Sequence, residues 1–151
     1  MKIRIGFGLG TRSAAADGPA FRTIVDALES LRFDSLWLSE RVNAAAPDPL
    51  VALAVAAGRT SRLKLGTSVL VLPGRNPVLL ATELATLDRL SDGRFLPAVG
   101  LGGVDPREQQ AFGVRREERA ARVDEMRPLL SRLTTEERVV HAVRGVSFTV
   151  A

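Results

Sequence analysis

The chain has 151 residues, enough for one domain with a real core but short of the roughly 250 residues of a complete eight-stranded α/β barrel. Hydrophobic residues make up 46% and charged residues 25%, as in an ordinary globular domain, and the absence of cysteine excludes disulfides, thiolate metal sites and a thiol nucleophile. A net charge of +4 and a pI near 10.8 raise nucleic acid as a partner, but the arginines alternate with acids, as in Arg115-Arg-Glu-Glu-Arg119, and no basic block, aromatic stacking pair or zinc spacing accompanies them, which argues against it.

The chain opens as a strand over residues 3–9 and not as a signal peptide. No apolar run reaches the about 18 residues of a membrane span, so a cytoplasmic protein without membrane contact is expected. A helix over residues 19–31 follows, with Phe21, Ile24, Val25, Leu28 and Leu31 on one face. The second strand covers residues 35–38. Asp48-Pro49 is a helix-start signal, and Leu50, Leu53, Ala54 and Ala57 continue that helix. The third strand covers residues 63–72, where Leu65, Val69, Leu70, Val71 and Leu72 form a near-continuous apolar run, as expected of a strand covered on both faces. Asn76 is placed to cap a third helix and Pro77 suits its first turn; the helix runs to Leu90, with Leu80, Leu84 and Leu87 as its inner stripe. Ser91-Asp-Gly93 turns the chain into a fourth strand over residues 94–100.

A glycine-rich loop leads to a short helix ending at Phe112. A long amphipathic helix over residues 116–133 then carries Val123, Met126, Leu129, Leu130 and Leu133, with Pro128 expected to kink it. The tail, residues 138–150, reads as two short strands around Arg144-Gly145. No linker or low-complexity stretch interrupts the pattern, so residues 1–151 are read as one domain. Repeated strand–helix units imply parallel strands joined by right-handed crossovers. Periodicity leaves an open doubly wound sheet and a barrel as alternatives.

In either fold the chemistry sits at the carboxyl ends of the strands, here Gly8-Leu-Gly10, Ser39-Glu-Arg41, the stretch from Val69 to Pro73, and Gly100-Leu-Gly-Gly103. Neither glycine loop completes a dinucleotide fingerprint, because the third glycine is replaced by Ser13 in one and Asp105 in the other. A metal centre is not expected, since His141 is the only histidine and lies in the polar tail, where it reads as a solvated hairpin residue. The same count argues against a Ser-His-Asp hydrolase. Trp37, the only tryptophan, reads as core.

The segment Leu63-Lys-Leu-Gly-Thr-Ser-Val-Leu-Val-Leu-Pro-Gly-Arg-Asn-Pro77 resembles the luciferase-like flavin monooxygenase superfamily, and most closely its branch of 5-deazaflavin-dependent oxidoreductases. Asp34-Ser-Leu-Trp-Leu-Ser-Glu-Arg41 before it and Leu87-Asp-Arg-Leu-Ser-Asp-Gly-Arg94 after it carry the same resemblance. It runs from Lys2 to Val150 and spans the first half of the family's barrel. The implied fold is the N-terminal half of a (β/α)8 barrel, four parallel strands in the order 1-2-3-4 with outer helices and a C-terminal hairpin. The implied activity is hydride transfer or oxygen insertion on a small organic substrate, with coenzyme F420 as cofactor and FMN as the alternative.

Carried over residue by residue, the resemblance places Ser68 and Val69 behind the cofactor ring. There the family has a bulge with a non-proline cis peptide that pushes backbone into the ring's face. Gly100, Leu101 and Gly102 would line the barrel mouth. Glu40 and Arg41 are the candidate catalytic contacts to ring or substrate. The family often has an acid followed by His at that point, and Arg41 stands at the His position. Arginine cannot shuttle protons near neutral pH, but it could pair with Glu40 or hold an anionic group. Gly103 and Thr134 also depart from residues common in the family.

A rival reading is a catalytically inactive half-barrel or an interaction subunit. Four strands alone would leave open edges and an apolar inner face, so a homodimer or a second chain completing the barrel is expected. A third reading, a doubly wound binding module, lacks a phosphate-loop signature.

Overall fold

Four strand–helix units follow one another along residues 3–11 and 17–133, the part of the chain described by a computed structural model. The strands are β1 (Gly6–Leu9), β2 (Ser35–Leu38), β3 (Lys64–Thr67), β4 (Leu70–Val71), β5 (Phe95–Leu96) and β6 (Val99–Gly100). They pair in parallel in the order β1-β2-β3-β5, with β4 paired to β6. β3 and β4 are two segments of the expected third strand, and β5 and β6 two segments of the fourth. The barrel order 1-2-3-4 is therefore the observed one, as in the first half of a (β/α)8 barrel, and an open doubly wound sheet is excluded. The expected C-terminal hairpin over residues 138–150, with His141, and Thr134 before it lie outside the described residues.

The helices begin in one recurring way. α1 (Gly18–Ser30), α2 (Pro49–Arg59), α3 (Pro77–Leu90) and α4 (Pro106–Phe112) each have proline in the first turn and an acidic or amide cap before it. Asp17 accepts from the Ala20 N–H at 2.7 Å, Asp48 from Val51 at 2.9 Å, Asn76 from Val78 at 3.0 Å, and Asp105 from Arg107 at 2.9 Å. Proline lacks the N–H that has no intrahelical partner there, and the cap satisfies another. A fifth helix, α5 (Arg119–Leu133), follows a 3-10 turn at Arg116–Glu118 and continues through Pro128; Val123 and Met126 are buried on it.

The core lies between the sheet and the helices. Leu36, Leu38, Leu65 and Phe95 on the strands are buried against Val25, Leu28, Leu53, Ala56, Leu80 and Leu84 on the helices. Four expectations need correction. The first strand begins at Gly6, and Ile3 and Ile5 before it are exposed. Leu31 is not on the inner face of α1: the helix ends at Ser30, and Leu31, as its C-cap, is exposed. The third strand is broken at Ser68–Val69, where the resemblance implies a bulge, whereas the fourth, expected to be continuous, is broken at Pro97–Ala98, proline having no N–H to give a ladder. Thr67 bridges that second gap: its hydroxyl donates to the Ala98 carbonyl at 2.7 Å and accepts from the Ala98 N–H at 2.8 Å.

The fourth correction concerns Trp37, which is half-buried on the inner face of the sheet and not in the core. Gly8, Trp37 and Gly66 are in register across three strands. A Cβ on Gly66 would come within 2.3 Å of the indole Cε3, so glycine is required for the ring to lie there. The indole N–H donates to the Ser35 hydroxyl at 2.9 Å. The inner face thus carries the indole and Leu96, in register with Gly66, among glycines, Ser35 and Lys64, and is less apolar than expected.

Two polar locks close the amino-terminal end of the sheet. Arg94 is buried and donates to the carbonyls of Ala57, Thr60, Leu63 and Ser91 and to the Thr60 hydroxyl, satisfying carbonyls at the end of α2. Glu29 accepts from the N–H groups of Ser61, Arg62 and Leu63 at 2.9–3.0 Å, fixing the turn that launches β3.

Candidate functional site

The carboxyl ends of all four strands open onto one cavity of about 540 Å³. Thr11 reaches it from beyond β1 and Ser39, Glu40 and Arg41 from beyond β2. The break between β3 and β4 contributes Ser68, Val69 and Val71; β6 and its following loop contribute Val99 to Gly103. Glu108 enters from α4. All seven residues singled out in the sequence, Glu40, Arg41, Ser68, Val69, Gly100, Leu101 and Gly102, are therefore brought together.

The Ser68–Val69 peptide bond is cis. The Ser39 hydroxyl donates to the Ser68 carbonyl at 2.7 Å, and the Ser68 N–H donates to the Leu38 carbonyl at 2.7 Å, so strand two holds this break from both sides. Val69 keeps 37% of its surface exposed. Opposite it, a Cβ on Gly100 would sit 2.8 Å from Val69 Cγ2. Gly102 has φ +82°, and a Cβ there would meet Val71 Cγ1 at 2.8 Å and Arg119 Nη1 at 2.9 Å. The glycines thus keep this wall of the cavity at backbone level, where larger residues would collide.

Glu40 does not pair with Arg41. One carboxylate oxygen accepts from the Val71 N–H at 2.6 Å, and the other accepts from Arg75, which also lies 3.8 Å from Asp48. Burial pushes the Glu40 carboxyl above its ordinary range; the Val71 N–H and the Arg75 guanidinium oppose that rise without cancelling it. Glu40 therefore ties the end of strand two to the end of strand three. In the Arg75-Asn76-Pro77 motif, Asn76 and Pro77 start α3 while Arg75 serves the cavity wall.

Sequence reasoning missed two charged residues beneath the glycine loop. Glu108 is buried and accepts from the Gly103 N–H at 3.0 Å. Its spacing from Asp105 is that of a capping box, so the sequence signal points only to helix initiation. Arg119 is buried too, although it stands in a run that reads as solvated surface charge. It donates to the carbonyls of Leu101 at 2.9 Å and Gly103 at 3.2 Å, and its guanidinium lies 5.9 Å from the Phe112 ring centroid. Together they fix both polar ends of the Gly103 peptide.

Among the described residues no group of three or more His, Cys, Asp or Glu is gathered as for a metal, and no helix is long and apolar enough to cross a membrane.

Comparison with known proteins gives a consistent pattern. The sequence profile of the luciferase-like monooxygenase family matches residues 3–150. The chain is 39% identical over 121 residues to an F420-dependent glucose-6-phosphate dehydrogenase of Kineococcus radiotolerans, a match covering 74% of this chain and 35% of that protein. It is 32% identical over 119 residues to the 4-hydroxyprotoasukamycin monooxygenase of Streptomyces nodosus subsp. asukaensis, covering 77% of this chain and 32% of the other. The crystal structure of the monooxygenase RslO1 from Streptomyces bottropensis superposes with a TM-score of 0.77 at 30% identity, over 89% of this chain and 44% of that one. The chain spans about a third of the length of the curated relatives it matches.

Proposed function

The chain belongs to the luciferase-like monooxygenase family, and from that premise we propose that it carries the ring-binding part of a flavin- or deazaflavin-dependent oxidoreductase acting on a small organic substrate, with coenzyme F420 as the first choice of cofactor and FMN as the second. One observation carries this reading: the exposed Val69 at the strand break packs directly against Gly100, and together with Gly102 they form one wall, held at backbone level, of a cavity at the carboxyl ends of four parallel strands. Naming F420 first rests on the dehydrogenase relative, whose described activity depends on that coenzyme.

The residues present fit the ring end of such a cofactor. The cavity falls within the roughly 300–1,000 Å³ of small-molecule sites, is lined mostly by apolar groups, and has a glycine wall that lets a flat ring approach the backbone. They do not supply a phosphate site, since Arg41 is the single basic residue lining the cavity among the described residues. When bound, the ring supplies hydride transfer, and a flavin can also activate oxygen.

The chain supplies position. Ser68 and Val69 back the ring, with Ser39 holding the Ser68 carbonyl. Gly100, Leu101 and Gly102 continue the same wall beside Val69, braced by Arg119. With both carboxylate oxygens engaged, Glu40 is a positioning residue and not a proton carrier. Arg41 is left as the polar contact offered to substrate.

Titrating the purified chain with F420 and with FMN, followed by flavin fluorescence, tests this. Saturable binding of one of them is expected. Gly100→Ala should weaken it by about tenfold or more, because the added methyl collides with Val69. Absence of binding by a chain that circular dichroism reports as folded would overturn the reading in favour of an inactive half-barrel or interaction subunit.

A further inference from the structure

We propose that Arg41 anchors a carboxylate, so that the cavity selects small organic acids as its substrate class. This deepens the oxidoreductase reading and rests on it for the word substrate, though not for the binding site itself. Three charged side chains line the cavity: Glu40, Arg41 and Glu108. Both oxygens of Glu40 are taken by Arg75 and the Val71 N–H. Glu108 is 1% exposed and holds the Gly103 N–H. The Arg41 guanidinium has no hydrogen bond or ion pair among the described residues, and it is exposed. Nor can Arg75 stand in for it, since Arg75 is held by Glu40 and the Val71 carbonyl.

Geometry keeps Arg41 at the cavity's lip. Its Nη2 lies 3.7 Å from the position of a Cβ on Gly103, beside a residue with no side chain to obstruct a ligand. The loop after it is fastened across the mouth: Asn43 Nδ2 donates to Asp105 at 2.9 Å. Asp105 is itself drawn down to about 2 by its hydrogen bonds with Arg107 and then with Asn43, so it is a carboxylate at any working pH.

A ligand filling this cavity displaces water from the inward side of the Arg41 guanidinium. A neutral ligand leaves that charge without a partner, whereas a carboxylate offers it two parallel hydrogen bonds. A phosphate dianion fits less well. It would bring two negative charges to one free cation in a cavity that also holds Glu40 and Glu108.

The test uses the full chain with benzoate, benzyl alcohol and inorganic phosphate as probes, read by calorimetry and by fluorescence of Trp37, in the absence and presence of saturating FMN or F420. Benzoate should bind saturably and at least about tenfold more tightly than benzyl alcohol. Arg41→Gln should erase that preference through weaker benzoate binding, and Arg41→Lys should retain part of it. Equal binding of the two aromatic probes, or a benzoate preference that survives Arg41→Gln, would overturn the proposal. Stronger binding of inorganic phosphate through Arg41 would overturn it too, assigning the residue to a phosphate group instead. Cofactor binding without benzoate binding would sink the carboxylate site alone. Benzoate binding without cofactor binding would sink the oxidoreductase reading and leave the anion site standing.

Discussion

Removing the Glu40 side chain would leave the Val71 N–H without its acceptor and strip Arg75 Nη2 of its hydrogen bond, leaving Arg75 only the Val71 carbonyl and Asp48 at 3.8 Å. The Glu40 side chain is 5% exposed and that of Arg75 20%, so water would replace the carboxylate poorly. We predict that Glu40→Ala lowers unfolding stability by about 2–4 kcal/mol, the range for breaking a partly buried pair and orphaning its partners. Glu40→Gln keeps an acceptor for Val71 and removes a carboxyl that burial disfavours in its charged form, so its cost should be at most about half as large. Urea unfolding of both variants at neutral pH measures this; equal losses would mean that the ion pair with Arg75, not the bond to Val71, carries the contact. The residue's importance was legible in Ser39-Glu40-Arg41. Its partner was not, because Arg75 lies 35 positions away and stands in a motif that helix initiation already explains.

At the scale of elements, Glu29 at the end of α1 organises the start of β3 through three backbone N–H groups. Partial burial raises its carboxyl, but the N–H donors of Ser61, Leu63 and Arg62 outweigh that and hold it below its ordinary value of 4.5. A carboxylate depressed on folding contributes stability that is fully present above its unfolded value and is lost as pH falls through its folded one. We therefore predict that stability declines from above pH 4.5 downward and that Glu29→Gln makes this acid limb shallower, as read from urea midpoints between neutral pH and pH 2. An unchanged limb in Glu29→Gln would show that other carboxylates govern it. Element starts were easy to read, since the repeated cap-and-proline signature is local chemistry. Strand interiors were harder. The apolar run of residues 63–72 marks burial but conceals the break at Ser68–Val69, which depends on contacts from Leu38, Ser39 and Ala98. Pro97 stands inside the run read as a continuous fourth strand, and its missing N–H is the local signal that the reading passed over.

At the scale of the molecule, the barrel order was legible from the resemblance and not from periodicity, which fits an open sheet equally well. What covers the remaining surfaces is a separate physical question. The sheet leaves β1 unpaired on one side and β5 on the other among the described residues, but each edge is short, and β1 includes Gly6 and Gly8. Exposed apolar side chains also stand on the helices, Val51 (68% exposed) and Val55 on α2 and Val78 and Leu79 (63% exposed) on α3, and a groove between the two helices is lined by Val51, Ala54 and Thr82 together with Asp48, Arg75 and Glu83. Exposed apolar side chains gathered on two packed helices are where an association surface is to be sought. We predict that the chain self-associates through α2 and α3, giving a dimer in sedimentation equilibrium, and that Val51→Glu combined with Leu79→Glu shifts it to monomer without loss of helical content. A monomeric parent chain would refute self-association altogether. A double variant that remains dimeric would transfer the contact to the sheet edges, where pairing of β1 or β5 with a second copy would complete strands that the helical face leaves open.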